Sequence, residues 1–440
     1  MIPSDLVNNL WVLLAGLLVF LMTIAVGFLE VGELGEGFSF SLYKTSLFTG
    51  LGLVVMAIVG FNTAFAPTWM GLIGNPFYGP GFFLGGFSVA SVNPTLDVWW
   101  STAGTGLTTG VYFLFETAFA AVTLALVGVV FFRKVKLAVI AAYSVVYFVL
   151  LWNLPAAWIW NPSGWLAKLG MVDFAGGLVV HGAAGAAGLG VMLQIWREER
   201  ARGAREAIPV PIRVSPGWLT LGILLLWLGW FGFNPGSVLA FNDEAVVVVL
   251  TTFLAAAVSL FSLSAVLWLL DGSSPSLLNA VNGILMGLIV ITPLAGFVSP
   301  GSAIVLGALS GPVFWIGERI FSRFRWYTDP VGLLPGHLMG GLFGVSMIAF
   351  FAQTPFAAAS GALHLPNGLL FGGGLVALHQ LGIEELGIVA VMVTIFLLSF
   401  LVACALAGLF HGITAVSPAP APGPSDSDAR DVAADTDRTP

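Results

Sequence analysis

Apolar stretches, each about 20 residues long, recur along most of this 440-residue chain. A stretch of that length crosses the hydrocarbon core of a bilayer as an α-helix. Only 8% of the residues are charged, whereas soluble domains carry about 25%. The chain is therefore predicted to be an all-α polytopic membrane protein.

The apolar stretches predict eleven transmembrane helices and one transmembrane domain, residues 1–416. The helices lie near residues 9–30, 43–65, 109–132, 137–156, 174–196, 217–234, 245–270, 275–297, 301–318, 332–352 and 385–412. Residues 417–440 are rich in Pro and Ala and then in acidic residues. Because such a segment buries too little apolar surface to fold, we expect a disordered cytoplasmic tail there.

The basic residues predict the orientation of these helices. Because the number of spans is odd, the two termini lie on opposite sides of the membrane. With the N-terminus outside, fourteen of the fifteen Lys and Arg residues fall on the cytoplasmic side, and Lys168 is the exception. Cytoplasmic loops carry such an excess of basic residues. We therefore expect a multi-pass protein of the plasma or inner membrane, with its N-terminus outside and its C-terminus in the cytoplasm.

Two histidines indicate an internal repeat. His181 in the fifth span is followed by GAAGAAGLG, and His337 in the tenth span is followed by LMGGLFG. A unit of five spans that is repeated once returns upside down in the membrane. We therefore predict an inverted 5+5 repeat, with halves at about 9–196 and 217–352 and a final helix at 385–412. Such repeats place the functional site near the bilayer midplane, where the two histidines would meet.

The histidine pair has two interpretations. The two side chains form either one hydrogen bond between packed helices or the lining of a narrow conduit. A neutral imidazole has one donor and one acceptor nitrogen, and its reference pKa near 6.5 permits proton transfer near neutral pH. A metal site would need further ligands. We expect no metal, no cofactor and, since no activated nucleophile is apparent, no enzyme activity.

A carboxylate lies close to the first histidine in the chain. Asp173 precedes His181 by eight residues, which is about 12 Å along a helix. It stands at the predicted start of the fifth span, where an aspartate commonly caps the helix. The alternative is that its negative charge also tunes the outer mouth of a pathway for cations.

Several motifs together resemble one known family. DFAGGLVVH (173–181) is similar to the signature of the ammonium transporter (Amt) family, as are WFGFNPGS (230–237), FETAFAAVT (115–123), WNPSGWLAKLGMVDFAGG (160–177), ITP (291–293) and DPVGLLPGH (329–337). The resemblance extends over about residues 9–412. It implies a homotrimer in the lipid bilayer, with one pore for ammonium or ammonia in each subunit.

The resemblance also implies roles for individual residues. It places the capture of NH4+ at an outer aromatic site, followed by loss of a proton and passage of NH3 along the histidines. The residues that match are Trp160, Ser237 and Phe119 for recruitment, Phe119 and Phe233 for the gate, and His181 and His337 for the pore. We add Asp173 to the recruitment residues because of its charge, and we expect Phe115, Glu116 and Thr292 to be neighbours of these sites.

This chain also departs from the family pattern. Glu116 stands where glutamine is common, and Gly332 stands where an aspartate is common before the second histidine. Departures in the cytoplasmic loops and tail argue against a PII-type signalling protein as regulator. Two other functions stay open, an ammonium sensor on the same scaffold and conduction of another small polar solute as in Rh-type relatives. No nucleic-acid partner is expected.

Overall fold

The structure, a computed structural model, describes residues 4–78, 97–132, 134–208, 213–274, 276–329 and 331–415. Within these ranges eleven apolar helical segments follow one another, and we label them α1 to α11 in chain order. They are Ser4–Leu34, Phe38–Phe65, Thr109–Phe131, Leu137–Leu169, Gly177–Ala201, Pro216–Val238, Asp243–Asp271, Leu277–Ile291, Pro300–Phe321, Leu333–Phe351 and Gly374–Leu409. The predicted all-α polytopic fold is confirmed, while the predicted tail at 417–440 lies outside the described residues.

Ten of these segments are long and apolar enough to cross a membrane, and α8 is shorter, with 15 residues. α4 is interrupted after its π-helical turn Ala156–Trp160 and resumes as the short helix Trp165–Leu169. Two strands, β1 (Thr68–Trp69) and β2 (Ile73–Gly74), pair in antiparallel fashion between α2 and α3. A short helix at Thr354–Ala359 lies between α10 and α11.

The last helix begins earlier than its hydropathy indicates. It was predicted from residue 385, but α11 begins at Gly374. Its first turns contain Gln380 and Glu384, which are both buried. The Gln380 amide donates to the Gly170 carbonyl at 2.9 Å, and Glu384 accepts from the Val172 amide at 3.2 Å. These polar contacts to the α4–α5 loop explain why the helix extends beyond its apolar stretch.

The two halves of the repeat start their fifth helix in the same way. α5 begins with the wide π-helical turn Gly177–Gly182, and α10 begins with the π-helical turn Leu333–Leu338. The residue before each turn is a left-handed glycine, Gly176 with φ 108° and Gly332 with φ 71°. A β-carbon is disfavoured in this conformation. The departure at Gly332 therefore preserves a backbone geometry shared by both halves.

A carboxylate also caps each of these two helices. Asp173 accepts hydrogen bonds from the backbone N–H groups of residues 176, 177, 178 and 179, at 2.7 to 3.1 Å. Asp329 accepts from Leu333 at 2.9 Å and from Leu334 at 2.6 Å. The first N–H groups of a helix have no partner within the helix, and a negative charge there is stabilising. Each cap lies eight residues before a histidine, so it fixes where that histidine stands.

The helices α5 and α10 touch at a glycine. A β-carbon on Gly341 would lie 2.2 Å from the Gly177 carbonyl oxygen and 3.0 Å from the Gly182 nitrogen. No side chain fits at these distances without moving one helix away from the other. Gly341 therefore permits the close contact that brings the two histidine-bearing helices together.

We expect Gly341→Ala to lower the melting temperature of the detergent-purified protein by about 5 °C or more, because the two helices must separate. Gly382→Ala in α11 is the matched control, since a β-carbon there meets nothing within 4 Å and alanine favours the helix. Scanning fluorimetry on both variants measures the effect. Equal melting temperatures for the two variants would show that the close contact is unimportant.

Candidate functional site

The two predicted pore histidines lie in contact at the centre of the molecule. The Nδ1 atoms of His181 and His337 are 3.1 Å apart, and the ring planes are inclined by 43°. Both side chains are buried. At this distance one Nδ1 carries the hydrogen and the other accepts it. If both rings are neutral they are opposite tautomers, so the two Nε2 atoms offer a guest one donor and one acceptor.

Aromatic rings hold His181 in place. Phe233 stacks on its imidazole with centroids 5.7 Å apart and planes 10° apart, and Trp230 lies at 5.8 Å and 23°. The Trp230 indole donates to the Thr292 hydroxyl at 3.1 Å, and that hydroxyl donates to the Leu288 carbonyl at 2.7 Å. The predicted neighbour Thr292 is thus linked to the histidines through Trp230.

One cavity next to this centre, here called the histidine cavity, is mostly apolar. Its volume is about 40 Å³, and both histidines lie in its wall. Apolar side chains from α1, α3, α6 and α8 form most of the rest of the wall. Glu30 and Glu33 contribute carboxylates to it. Glu30 is paired with Lys44, with 2.7 Å between Oε1 and Nζ.

A second cavity, here called the aromatic cavity, collects most of the predicted recruitment residues. Its volume is about 120 Å³. The residues that line it are Tyr112, Phe115, Glu116, Phe119, Trp160, Phe174, Ser237 and Leu239. The Ser237 hydroxyl donates to the Phe233 carbonyl at 2.8 Å, which leaves its oxygen lone pairs to accept from a guest.

The two predicted gate residues line different cavities and contact each other. Phe119 lines the aromatic cavity and Phe233 lines the histidine cavity. Their ring centroids are 4.5 Å apart, and both side chains are fully buried. Phe119 also meets Phe115 at 4.9 Å and the edge of Trp160 at 5.7 Å. The two rings therefore lie in contact, one in the wall of each cavity.

Asp173 is set back from the aromatic cavity. It is not among the residues that line the wall, and both of its carboxylate oxygens accept backbone N–H groups. Its backbone carbonyl accepts from the Trp160 indole at 2.7 Å. The geometry thus connects Asp173 to the cavity through the position of Trp160.

Sequence reasoning missed Trp230, although it stands within a quoted motif. Trp230, Phe233 and Ser237 are spaced i, i+3 and i+7 in α6, which places them on one helix face. A similar spacing along α3 places Tyr112, Glu116 and Phe119 on the aromatic cavity. These periodicities were available in the sequence.

Comparison with known proteins shows which family this chain belongs to. A family model described as Ammonium Transporter Family matches residues 10–417. The chain belongs to the ammonium transporter family. It is similar to "Ammonium transporter Amt1" of Archaeoglobus fulgidus, with 32% identity over 378 residues that cover 85% of this chain and 86% of that protein.

Solved structures agree with this membership of the ammonium transporter family. Saccharomyces cerevisiae Mep2 superposes with a TM-score of 0.79 and 25% identity, covering 97% of this chain and 91% of that one. A structure titled "Sensor Amt Protein" superposes with a TM-score of 0.77 and 25% identity, covering 94% of this chain and 96% of that one. As a member of the ammonium transporter family, the chain is a multi-pass membrane protein.

Proposed function

We propose that this chain transports ammonium or ammonia across the membrane. NH4+ is recruited at the aromatic cavity and gives up a proton to water there, and NH3 then passes Phe119 and Phe233 and moves along His181 and His337. The proton crosses separately along the histidine pair, so net charge moves with each molecule of NH3. The observation that carries this proposal is the arrangement of the aromatic cavity, the pair of phenylalanine rings and the histidine cavity with its two histidines, with residues of α3 and α6 in both cavity walls.

The aromatic cavity has the chemistry for capturing a small cation. A cation facing an aromatic ring gains about 0.5–2 kcal/mol, depending on how far it is desolvated. Trp160, Phe115 and Phe119 supply the rings, and the Ser237 oxygen supplies an acceptor for an N–H group. Asp173 contributes by capping α5 and by holding the Trp160 indole.

The ring pair and the histidine cavity favour a neutral molecule. A charged group at the bilayer centre is costly, and the wall beyond Phe233 is mostly apolar. NH3 crosses at a lower cost and hydrogen-bonds to the histidines, which also have the chemistry to carry its proton. Potassium has no proton to give up and meets few oxygen ligands in this bore, so it is rejected.

The proposal also includes the orientation of the protein in the membrane, its oligomeric state and its regulation. The N-terminus and the aromatic cavity lie on the outer side of a plasma or inner membrane, and the C-terminus lies in the cytoplasm. Three copies form a trimer with one pore each, and regulation does not depend on a PII-type protein.

Native mass spectrometry of the detergent-purified protein is expected to give a mass near three times 46.2 kDa.

The proposal is tested by the membrane current of proteoliposomes after a jump in ammonium concentration. We expect a current that saturates with ammonium and is absent both from empty liposomes and after a potassium jump. A protein that gives neither a current nor a rise in the internal pH of the proteoliposomes, but still binds ammonium by calorimetry, would contradict transport. That result would favour the second candidate function, an ammonium sensor. The structural similarity to "Sensor Amt Protein" supports this candidate.

A further inference from the structure

The two carboxylates near the aromatic cavity differ in how their oxygens are used. Both oxygens of Asp173 are occupied by four backbone N–H groups. Glu116 instead lines the cavity, and its side chain is buried. Its Oε2 has no hydrogen-bond partner among the described residues. Glu116 is thus the carboxylate that has acceptor capacity left for a guest.

An unpartnered acceptor of this kind has an energetic cost. A buried polar atom without a hydrogen bond loses about 1–3 kcal/mol, and a charged one more. A structural role would satisfy the group locally, as at Asp173. The Tyr112 hydroxyl, one helical turn earlier, interacts with the Glu116 carboxyl and also lines the cavity. The Glu116 side chain lies in a wall that otherwise consists of the rings of Tyr112, Phe115, Phe119, Trp160 and Phe174, the Ser237 hydroxyl and Leu239.

We infer that Glu116 is an anionic ligand of the recruited cation, which makes the outer site of this transporter a charged one. This inference rests on the proposed function and deepens it. The carboxylate accepts N–H groups of NH4+ while the rings of Phe115, Phe119 and Trp160 cover the rest of the ion. Glutamine, the common residue at this position, offers a neutral carbonyl instead.

A charged ligand has two consequences for transport. It binds NH4+ more tightly than a neutral carbonyl does, because the carboxylate adds Coulomb attraction between opposite charges in a buried site. It also attracts cations that cannot pass the ring pair, because a carboxylate does not require an N–H donor. Potassium is therefore expected to compete at this site even though it is not transported.

The test measures the half-saturating ammonium concentration of the proteoliposome current for wild type and Glu116→Gln. The substitution keeps the shape of the side chain and removes its charge. We expect the half-saturating concentration to rise about tenfold or more in Glu116→Gln, and inhibition of the current by potassium to weaken. Glu244→Gln is the matched control, because Glu244 stands at the start of α7, close in the chain to Leu239, but does not line the cavity.

Each outcome separates this inference from the proposed function. Wild-type protein that gives neither a current nor a rise in the internal pH of the proteoliposomes overturns the proposed function itself. A wild-type current with the same half-saturation and potassium inhibition in Glu116→Gln overturns the role of Glu116. Equal shifts in Glu116→Gln and Glu244→Gln also overturn it, because they would point to a general surface potential. Glu116→Asp keeps the charge, so a half-saturation nearer to wild type than that of Glu116→Gln supports the inference.

Discussion

Replacing His181 by leucine is expected to lower the ammonium-evoked current of the reconstituted protein about tenfold or more. Leucine fills a similar volume but offers neither a donor nor an acceptor to a polar guest in a bore that is mostly apolar. It also leaves His337 without the 3.1 Å contact between the Nδ1 atoms. Losing the partner of a buried polar group costs about 1–3 kcal/mol, which corresponds to a fold-change of this size. Solid-supported membrane electrophysiology on matched protein densities measures it.

A double-mutant cycle shows whether the two imidazoles act as a unit. We expect His337→Leu to lower the current by a similar factor, and the double variant to be no worse than either single one. Losses that multiply in the double variant would mean that each ring acts independently. A normal current in His181→Leu, from protein that is monodisperse and stable, would remove the histidines from the transport path.

The second large effect is expected at Asp173. Asn at this position keeps one oxygen, but its amide nitrogen then faces backbone N–H groups that have lost their acceptor. Hydrogen bonds to a charged group are worth about 1.5–3 kcal/mol each. We therefore expect Asp173→Asn to lower the melting temperature of the detergent-purified protein by about 5 °C or more. The current falls with it, because the start of α5 positions both Trp160 and His181.

Asp329→Asn is the matched variant for this prediction, since Asp329 caps α10 in the same way. We expect it also to lower the melting temperature, by less, because the Asp329 side chain is only half buried. If Asp173 instead acted only by attracting the cation, Asp173→Asn would keep the wild-type melting temperature and raise the half-saturating concentration. That pattern would contradict the capping role.

The number and order of the membrane helices followed from the sequence because a bilayer requires long apolar helices. The end of a helix depends on contacts instead. α11 begins as early as Gly374 because Gln380 and Glu384 form hydrogen bonds with a loop that is about 210 residues away in the chain. Hydropathy contains no information about such partners.

The candidate site was predictable where it depends on spacing within one helix. His181 and His337 each follow an aspartate by eight residues, yet only Asp173 was recognised as a cap and Asp329 was not. The free acceptor of Glu116, the indirect place of Thr292 and the contact between Phe119 and Phe233 depend on how three helices pack together. No pattern within a single segment determines that packing.

The most direct test of the proposed path is to block it with a bulky group attached inside the aromatic cavity. Cys404 is the single cysteine of the chain, so Cys404→Ala provides a background for Ser237→Cys in the aromatic cavity. The purified protein is labelled with a bulky thiol reagent, labelling is checked by mass spectrometry, and the ammonium current is measured after reconstitution. Leu363→Cys in the same background is the control, because Leu363 is 80% exposed and outside both cavities. We predict that labelling abolishes the current of Ser237→Cys and spares that of Leu363→Cys, whereas a full current from completely labelled Ser237→Cys would contradict the path.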